Sequence, residues 1–302
     1  MKIPLNFDKS SVLYANEVIS RALKRFGCSP PGGRSGDGWS GIAELQRCAY
    51  RYYLNNELQA TPVGPGATMS TALQVGTYLH AFMAAHYIRF LPEGYPGWQK
   101  DFPGPMEFID ACANERVDVT AFEEAKRLMY GYLEHYSNEE IQPVAVEYEA
   151  GTPGIHTCRY DAVVWKDGGL WDLETKTMAP TTASRADAFE GWYLDGEIVG
   201  QVYAWKLANL QEKFQAPLSG VIINALIKSR VPEYRRMEVV IPEKVVEAYA
   251  RDRQFWGQQR EHYRRSGYWP KSLWGCRGIY DRCGFFAHCR DEDANLIEIR
   301  KP

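Results

Sequence analysis

The period of the apolar positions changes midway along the chain. Between residues 41 and 136 apolar side chains recur three and four apart, and from residue 144 they alternate or run β-branched. The first regime predicts a helix over 41–58, with Leu45, Cys48, Tyr52 and Leu58 on one side. It predicts a second helix from an N-cap at Ser70 to Phe90, striped by Leu79, Phe82, Met83, His86 and Phe90. A third, over 118–136, carries Phe122, Ala125, Met129, Tyr132, Leu133 and Tyr136. Loops are predicted at 28–40, after a short leading helix, at 59–69 and at 91–105, where prolines and glycines cluster. The second regime predicts strands at 144–149, 156–166 and 169–178, with a hairpin turn at Asp167-Gly168-Gly169. A helix over 195–213, strands at 218–227 and 234–241, and a helix opened by Pro242 and running to Arg265 follow. Residues 266–302 read as loop. Helices followed by a mixed sheet with an inserted helix predict one α/β domain with a helical flank.

Composition narrows the class. Of 302 residues, 45% are apolar and 24% charged, which excludes whole-chain disorder. No apolar run is long enough for a membrane span, and the N-terminal residues lack a signal-peptide pattern, so a cytoplasmic location is expected. The seven cysteines are then expected to bind metal or stay reduced rather than form a disulfide framework. Residues 1–227 carry 19 basic and 27 acidic side chains, whereas 228–302 carry 16 basic and 11 acidic. A basic, aromatic-rich C-terminal quarter is compatible with nucleic acid, with Arg251, Arg253, Arg260, Arg264 and Arg265 as phosphate contacts and Tyr263, Tyr268 and Trp269 nearby. A solvated face and an aromatic core are the plainer readings of the same residues.

The most informative segment is Trp171-Asp172-Leu173-Glu174-Thr175-Lys176-Thr177. Strand alternation puts Asp172, Glu174 and Lys176 on one face, and the hairpin brings Asp161 towards them. Such a set is costly to bury unless its charges are paired or metal-bound. It suits metal-assisted phosphodiester hydrolysis, in which carboxylates hold Mg²⁺ and a lysine orients the attacking water. A cross-strand ion pair on an exposed face accounts for it equally well. His80, in Gly76-Thr77-Tyr78-Leu79-His80, adds a helical imidazole flanked by the small residues Gly76 and Ala84, whereas His86 on the apolar stripe reads as structural.

The ordered set His80, Asp161, Glu174-Thr175-Lys176 and Gln201 resembles the PD-(D/E)xK nuclease superfamily, and within it the RecB-type exonuclease branch that includes CRISPR-associated adaptation nucleases and phage homologues. The resemblance implies a restriction-endonuclease-like mixed central sheet flanked by helices. It implies His80, Asp161, Glu174 and the Thr175 carbonyl as ligands of Mg²⁺ or Mn²⁺, a catalytic Lys176, and Gln201 contacting substrate or ordering the site. Glu147 resembles an upstream acidic residue of that branch, and Tyr203 or Trp205 stands where an aromatic follows the glutamine. Asp161 follows Arg159-Tyr160 rather than the proline that names the family, and Asp172 is a rival ligand to Glu174.

Cys276, Cys283 and Cys289 crowd a glycine-containing segment, and three thiolates need a fourth ligand to close a tetrahedral site. With Cys48 upstream they resemble the iron–sulfur subset of RecB-type nucleases, which implies a 4Fe–4S cluster joining the N-terminal helical region to the C-terminal tail. Structural Zn²⁺ is the rival for the same four thiolates. Cys28, Cys112 and Cys158 read as free thiols. The expected organisation is one integrated domain: a helical region over 1–140 with Cys48 and His80, a nuclease core over 141–265, and a cysteine-rich tail over 266–302. The expected activity is a prokaryotic or phage-encoded DNA exonuclease preferring single-stranded or frayed ends. A helicase, recombinase or CRISPR integration protein is the expected partner class, since the chain has no ATP-binding phosphate loop. A structure-specific endonuclease and a non-catalytic DNA-binding or assembly module are the alternatives.

Overall fold

The computed structural model describes residues 37–63, 71–95, 98, 102, 104–113, 119–185, 187–272, 274–276 and 283–299. The leading helix, Cys28 and the Ser70 cap lie outside the described residues. In chain order the elements are α1 (Trp39–Arg47), α2 (Ala49–Tyr52), a π turn (Tyr53–Glu57), β1 (Ala60–Pro62), α3 (Thr71–Ile88), α4 (Pro105–Ala113) and α5 (Val119–His135). Then come β2 (Gln142–Thr152), β3 (His156–Lys166), β4 (Gly169–Met178), α6 (Pro180–Ala183), a 3₁₀ turn (Glu190–Leu194), α7 (Gly196–Leu207) and α8 (Leu210–Phe214). The chain ends with β5 (Leu218–Ile227), β6 (Glu233–Val239), α9 (Glu243–Ser266), α10 (Phe286–Asp291), a 3₁₀ turn (Ala294–Leu296) and β7 (Ile297–Ile299). No helix among the described residues is long and apolar enough to cross a membrane.

The chain divides into two compact units. The first holds residues 70–151 and 158–246 among its segments and contains a five-stranded mixed sheet in the order β2-β3-β4-β5-β6. β3 and β4 are antiparallel, β4 and β5 parallel, and β5 and β6 antiparallel. The parallel pair requires a crossover connection, and α7 and α8 lie in it. Alternation then sorts the sheet into two faces. Ala162, Val164, Leu173, Ile222 and Leu226 join one core with Tyr78, Phe82, Phe108, Phe122 and Met129 of α3, α4 and α5. Val163 and Leu170 join another with Trp205, Leu210 and Phe214 of α7 and α8, and Tyr160, beyond the end of the ladder, joins it out of alternation. Residues Gly220–Ile227 of β5 are all buried, as expected of a central strand covered on both faces.

A half-buried ion pair adjoins the helical face. Arg236 of β6 bonds Glu139 at 2.6 Å and the Tyr132 hydroxyl at 2.6 Å, and its guanidinium lies 3.9 Å from the centre of the Tyr136 ring. Asn224 accepts from Arg236 Nε at 3.3 Å.

The second unit comprises residues 34–69, 152–157 and 247–302. Ile42, Leu45, Ala49, Tyr52 and Trp269 form its core, and β1 pairs antiparallel with β7. Here the expected phosphate contacts need correction. Arg260 is buried and bonds Asp37 at 2.7 Å, while buried Arg253 donates to the carbonyls of Asp37 and Ile155. These guanidiniums hold chain segments together through their several fixed donors. Trp269 is core, whereas Tyr268 is exposed.

Other departures have local causes. The helix expected over 41–58 breaks at Cys48, whose extended backbone (φ −163°, ψ 107°) lets its thiol accept the Arg51 N–H and start a second helix. The helix expected over 195–213 breaks at Asn209 in the left-handed region (φ 49°). Phe90 lies past the end of α3 and is exposed. The segment 105–113, hidden behind a proline-rich stretch, is helical, and the tail contains α10 and β7.

Candidate active site

The site lies within the first unit, where β3 and β4 part. Their ladder runs from Lys166↔Gly169 to Ala162↔Leu173. At the next position the Asp161 carboxylate, rather than a backbone carbonyl, accepts the Thr175 N–H at 2.8 Å. Its other oxygen lies 3.0 Å from Nδ1 of His80 on α3. Burial would lower the imidazole pKa, but the Asp161 charge and hydrogen bond outweigh it and raise His80 to about 9. Burial works against the Asp161 charge too, and the imidazolium together with the Thr175 N–H holds its carboxyl below the usual range.

Glu174 lies one strand position away and is almost fully buried. Its Oε1 accepts from Lys176 Nζ at 2.6 Å, and its Oε2 accepts from Gln201 Nε2 at 2.6 Å. Burial, then the Asp161 charge, raise its carboxyl to about 7 against the opposing pull of Lys176. Burial disfavours the ammonium of Lys176, but Glu174 and Glu197 keep it charged well above its ordinary range.

α7 presents the other side of this pair. Its N-terminus is capped by the Asp195 carboxylate, which accepts the N–H groups of Glu197 at 2.9 Å and Ile198 at 3.3 Å. Gln201 is buried one turn beyond Glu197, and its carbonyl accepts from the Tyr160 hydroxyl at 2.8 Å. Glu197 bonds Lys176 at 2.6 Å from the solvent side. Sequence reasoning did not single out Glu197. The available signal was its spacing of four from Gln201, which puts both on one helical face.

Two further carboxyls adjoin the set. Glu147 is buried with its backbone in the left-handed region (φ 50°), 3.4 Å from Arg159 Nε. A non-glycine residue held there inside a strand is strained, and such strain concentrates at functional sites. Burial, then the Asp161 charge, raise its carboxyl to about 8. Asp172 is fully buried, and neither of its oxygens has a hydrogen-bond partner among the described residues. Burial, then the charges of Glu174 and Asp161, hold it well above the carboxylate range. Trp205 packs in the core, stacked on Phe214 at 5.0 Å, and Tyr203 is half-buried.

Several carboxylates, a backbone carbonyl and Gln201 Oε1, which has no hydrogen-bond partner among the described residues, are oxygen donors suited to a hard divalent cation, and His80 adds an imidazole nitrogen. Among the described residues, however, no group of three or more His, Cys, Asp or Glu side chains is arranged to hold a metal ion. The oxygens are instead engaged by His80, the Thr175 N–H, Lys176 and Gln201.

The cysteine set lies in the second unit. Cys48 Sγ accepts from Ser272 N at 3.4 Å, Cys276 Sγ donates to the Ser272 carbonyl at 3.5 Å, and Cys283 N donates to the Cys276 carbonyl at 3.1 Å. Burial, then the charge of Cys283, push the Cys289 thiol up to about 11, with Cys48 and Cys276 adding to the rise. The four thiols are therefore electrostatic neighbours without forming a metal-holding group. Cys112 is buried and Cys158 half-buried, and neither forms a disulfide among the described residues.

Comparison with known proteins gives the family of the chain. The family model described as the PD-(D/E)XK nuclease superfamily matches residues 39–290, and the chain belongs to that superfamily. Its five-stranded mixed sheet flanked by helices is the restriction-endonuclease-like fold. Among solved structures, one from Eubacterium rectale described as a candidate exonuclease aligns with a TM-score of 0.47 and 12% identity, covering 95% of this chain and 88% of that one. A second, SSO0001, aligns at 0.29 and 13% identity, covering 74% and 97%. No curated protein matches the chain.

Proposed function

We propose that this chain is a Mg²⁺- or Mn²⁺-dependent deoxyribonuclease that degrades DNA from ends, preferring single-stranded or frayed ones. The observation that carries the reading is the joining of Asp161, Glu174, Lys176 and Gln201, with His80 beside them, in a member of a nuclease superfamily. Asp161, Glu174, the Thr175 carbonyl and His80 would hold the cation, with Glu147 alongside. When bound, the cation polarises the phosphoryl group and makes a coordinated water more acidic. The chain's own residues do the rest. Lys176 Nζ orients the attacking water and offsets the negative charge that develops on the phosphoryl oxygens. Water adds to phosphorus as the ester oxygen leaves, so one bond forms and one breaks. Gln201 fixes the Glu174 carboxylate, and Tyr160 fixes Gln201 through its carbonyl.

Cys48, Cys276, Cys283 and Cys289 would hold a 4Fe–4S cluster that closes a loop of more than two hundred residues. Zn²⁺ is the alternative, and the visible absorbance and iron content of anaerobically purified protein separate the two.

The end requirement is tested with end-labelled linear and circular DNA, single- and double-stranded, in Mn²⁺ or EDTA. Loss of linear DNA with circular single strands spared is expected. Cutting of circles would replace the exonuclease with an endonuclease, and intact DNA throughout would favour a binding module. A helicase, recombinase or CRISPR integration protein would fit as partner, because the chain has no ATP-binding phosphate loop and any unwinding would need another activity or ends that are already single-stranded.

A further inference from the structure

Lys176 is shared. Its Nζ lies 2.6 Å from Oε1 of Glu174 and 2.6 Å from Oε2 of Glu197. The two carboxylates differ in surroundings. The Glu174 side chain is 4% exposed and the Glu197 side chain 47% exposed. Glu197 belongs to the first turn of α7, ordered by the Asp195 cap, and Gln201 on the same face bonds the other oxygen of Glu174. α7 thus contacts both members of the Glu174–Lys176 pair.

That arrangement has a consequence for cation binding. Glu174 cannot offer its oxygen freely to a cation while Lys176 bonds it, since ammonium and cation compete for one lone-pair region. A lysine with no second anchor would remain on Glu174, or swing into solvent once displaced. Glu197 offers an alternative carboxylate at equal distance, so Lys176 can release Glu174 and still stay beside the site.

We propose that Glu197 is a positioning residue that takes over Lys176 when Glu174 binds the catalytic cation. This rests on the nuclease reading above. Glu197 neither touches the reacting atoms nor serves as a ligand. It lowers the cost of freeing Glu174 and keeps the ammonium near the phosphoryl group.

The test is Mn²⁺ binding by isothermal titration, without DNA, on four full-length proteins: wild type, Glu197→Gln, Lys176→Met, and the double variant. Glu197 is exposed, so its substitution leaves the core untouched, and thermal unfolding verifies each variant. With Lys176 present, Glu197→Gln is expected to weaken Mn²⁺ binding roughly two- to fivefold, the scale of one solvent-exposed ion pair. In the Lys176→Met background the same change is expected to have little effect, because the lysine it acts through is gone. Equal weakening in both backgrounds would overturn the proposal and make Glu197 a ligand or a bare charge. No weakening in either would make it an idle surface carboxylate. Failure of the wild type to bind Mn²⁺ would instead sink the nuclease reading, and this proposal with it.

Discussion

At the scale of single residues, the site shows how many like charges a fold tolerates when each has a counter-ion. Asp161 is held by His80, Glu174 by Lys176, and Glu147 by Arg159, while burial and the charges of Glu174 and Asp161 push the Asp172 carboxyl well above the usual range. This sets a direction for pH dependence. His80 keeps its proton to about pH 9 and Glu174 to about pH 7. Both must lose it to act as ligands, so Mn²⁺ affinity is expected to rise as pH increases through those values, with proton release on binding. Titration in buffers of different ionisation enthalpy measures that release. Affinity that is flat or falls across the range would remove these two groups from the ligand set. Much of this constellation was legible in the sequence, because Glu174-Thr175-Lys176 on one strand and Asp161 on its hairpin neighbour are joined by alternation alone. Glu197 was not, since a glutamate in the first turn of a helix is sufficiently explained by the helix dipole. Nor was the strained backbone of Glu147, which no local residue preference announces.

At the scale of elements, α7 sets the geometry of the site because it bears both Glu197 and Gln201. Its orientation depends on the Asp195 cap, on the Tyr160–Gln201 bond, and on Ile198, Ala204 and Trp205 buried beneath it. Removing the cap with Asp195→Ala should cost about 1 kcal/mol of stability. It should lower hydrolysis by more than the folded fraction lost, because the first turn carries Glu197. Urea unfolding combined with single-turnover rates separates the two effects, and a rate that tracks only the folded fraction would show that the first turn is irrelevant to chemistry. The sequence foretold the principal elements of the sheet from periodicity, including the β3–β4 hairpin. It missed the breaks at Cys48 and Asn209, where a side-chain cap or a left-handed residue interrupts a pattern that stays apolar on both sides. It also assigned Arg253 and Arg260 to a nucleic-acid surface, because composition reports charge and not burial.

At the scale of the whole molecule, the two units carry different chemistry: the first holds the carboxylate–lysine site and the second the four cysteines. The second unit has a small core, so a bound cluster would supply much of its stability. Cys283→Ser is expected to lower iron content and the midpoint of thermal unfolding together. Gly275→Ala should do the same, since a Cβ there would come within 2.7 Å of the Arg47 carbonyl beside Cys48. Unchanged unfolding of iron-free protein would mean that the cysteines do not staple the chain. DNA hydrolysis with a divalent cation is the role proposed for the Asp161–Glu174–Lys176 set. It is tested most directly by comparing wild type with Lys176→Ala on end-labelled linear DNA in Mn²⁺ and in EDTA. Degradation by the wild type in Mn²⁺ but not in EDTA is expected, with a loss of about a hundredfold or more in the variant. Equal degradation by both proteins, or degradation that survives EDTA, would contradict it.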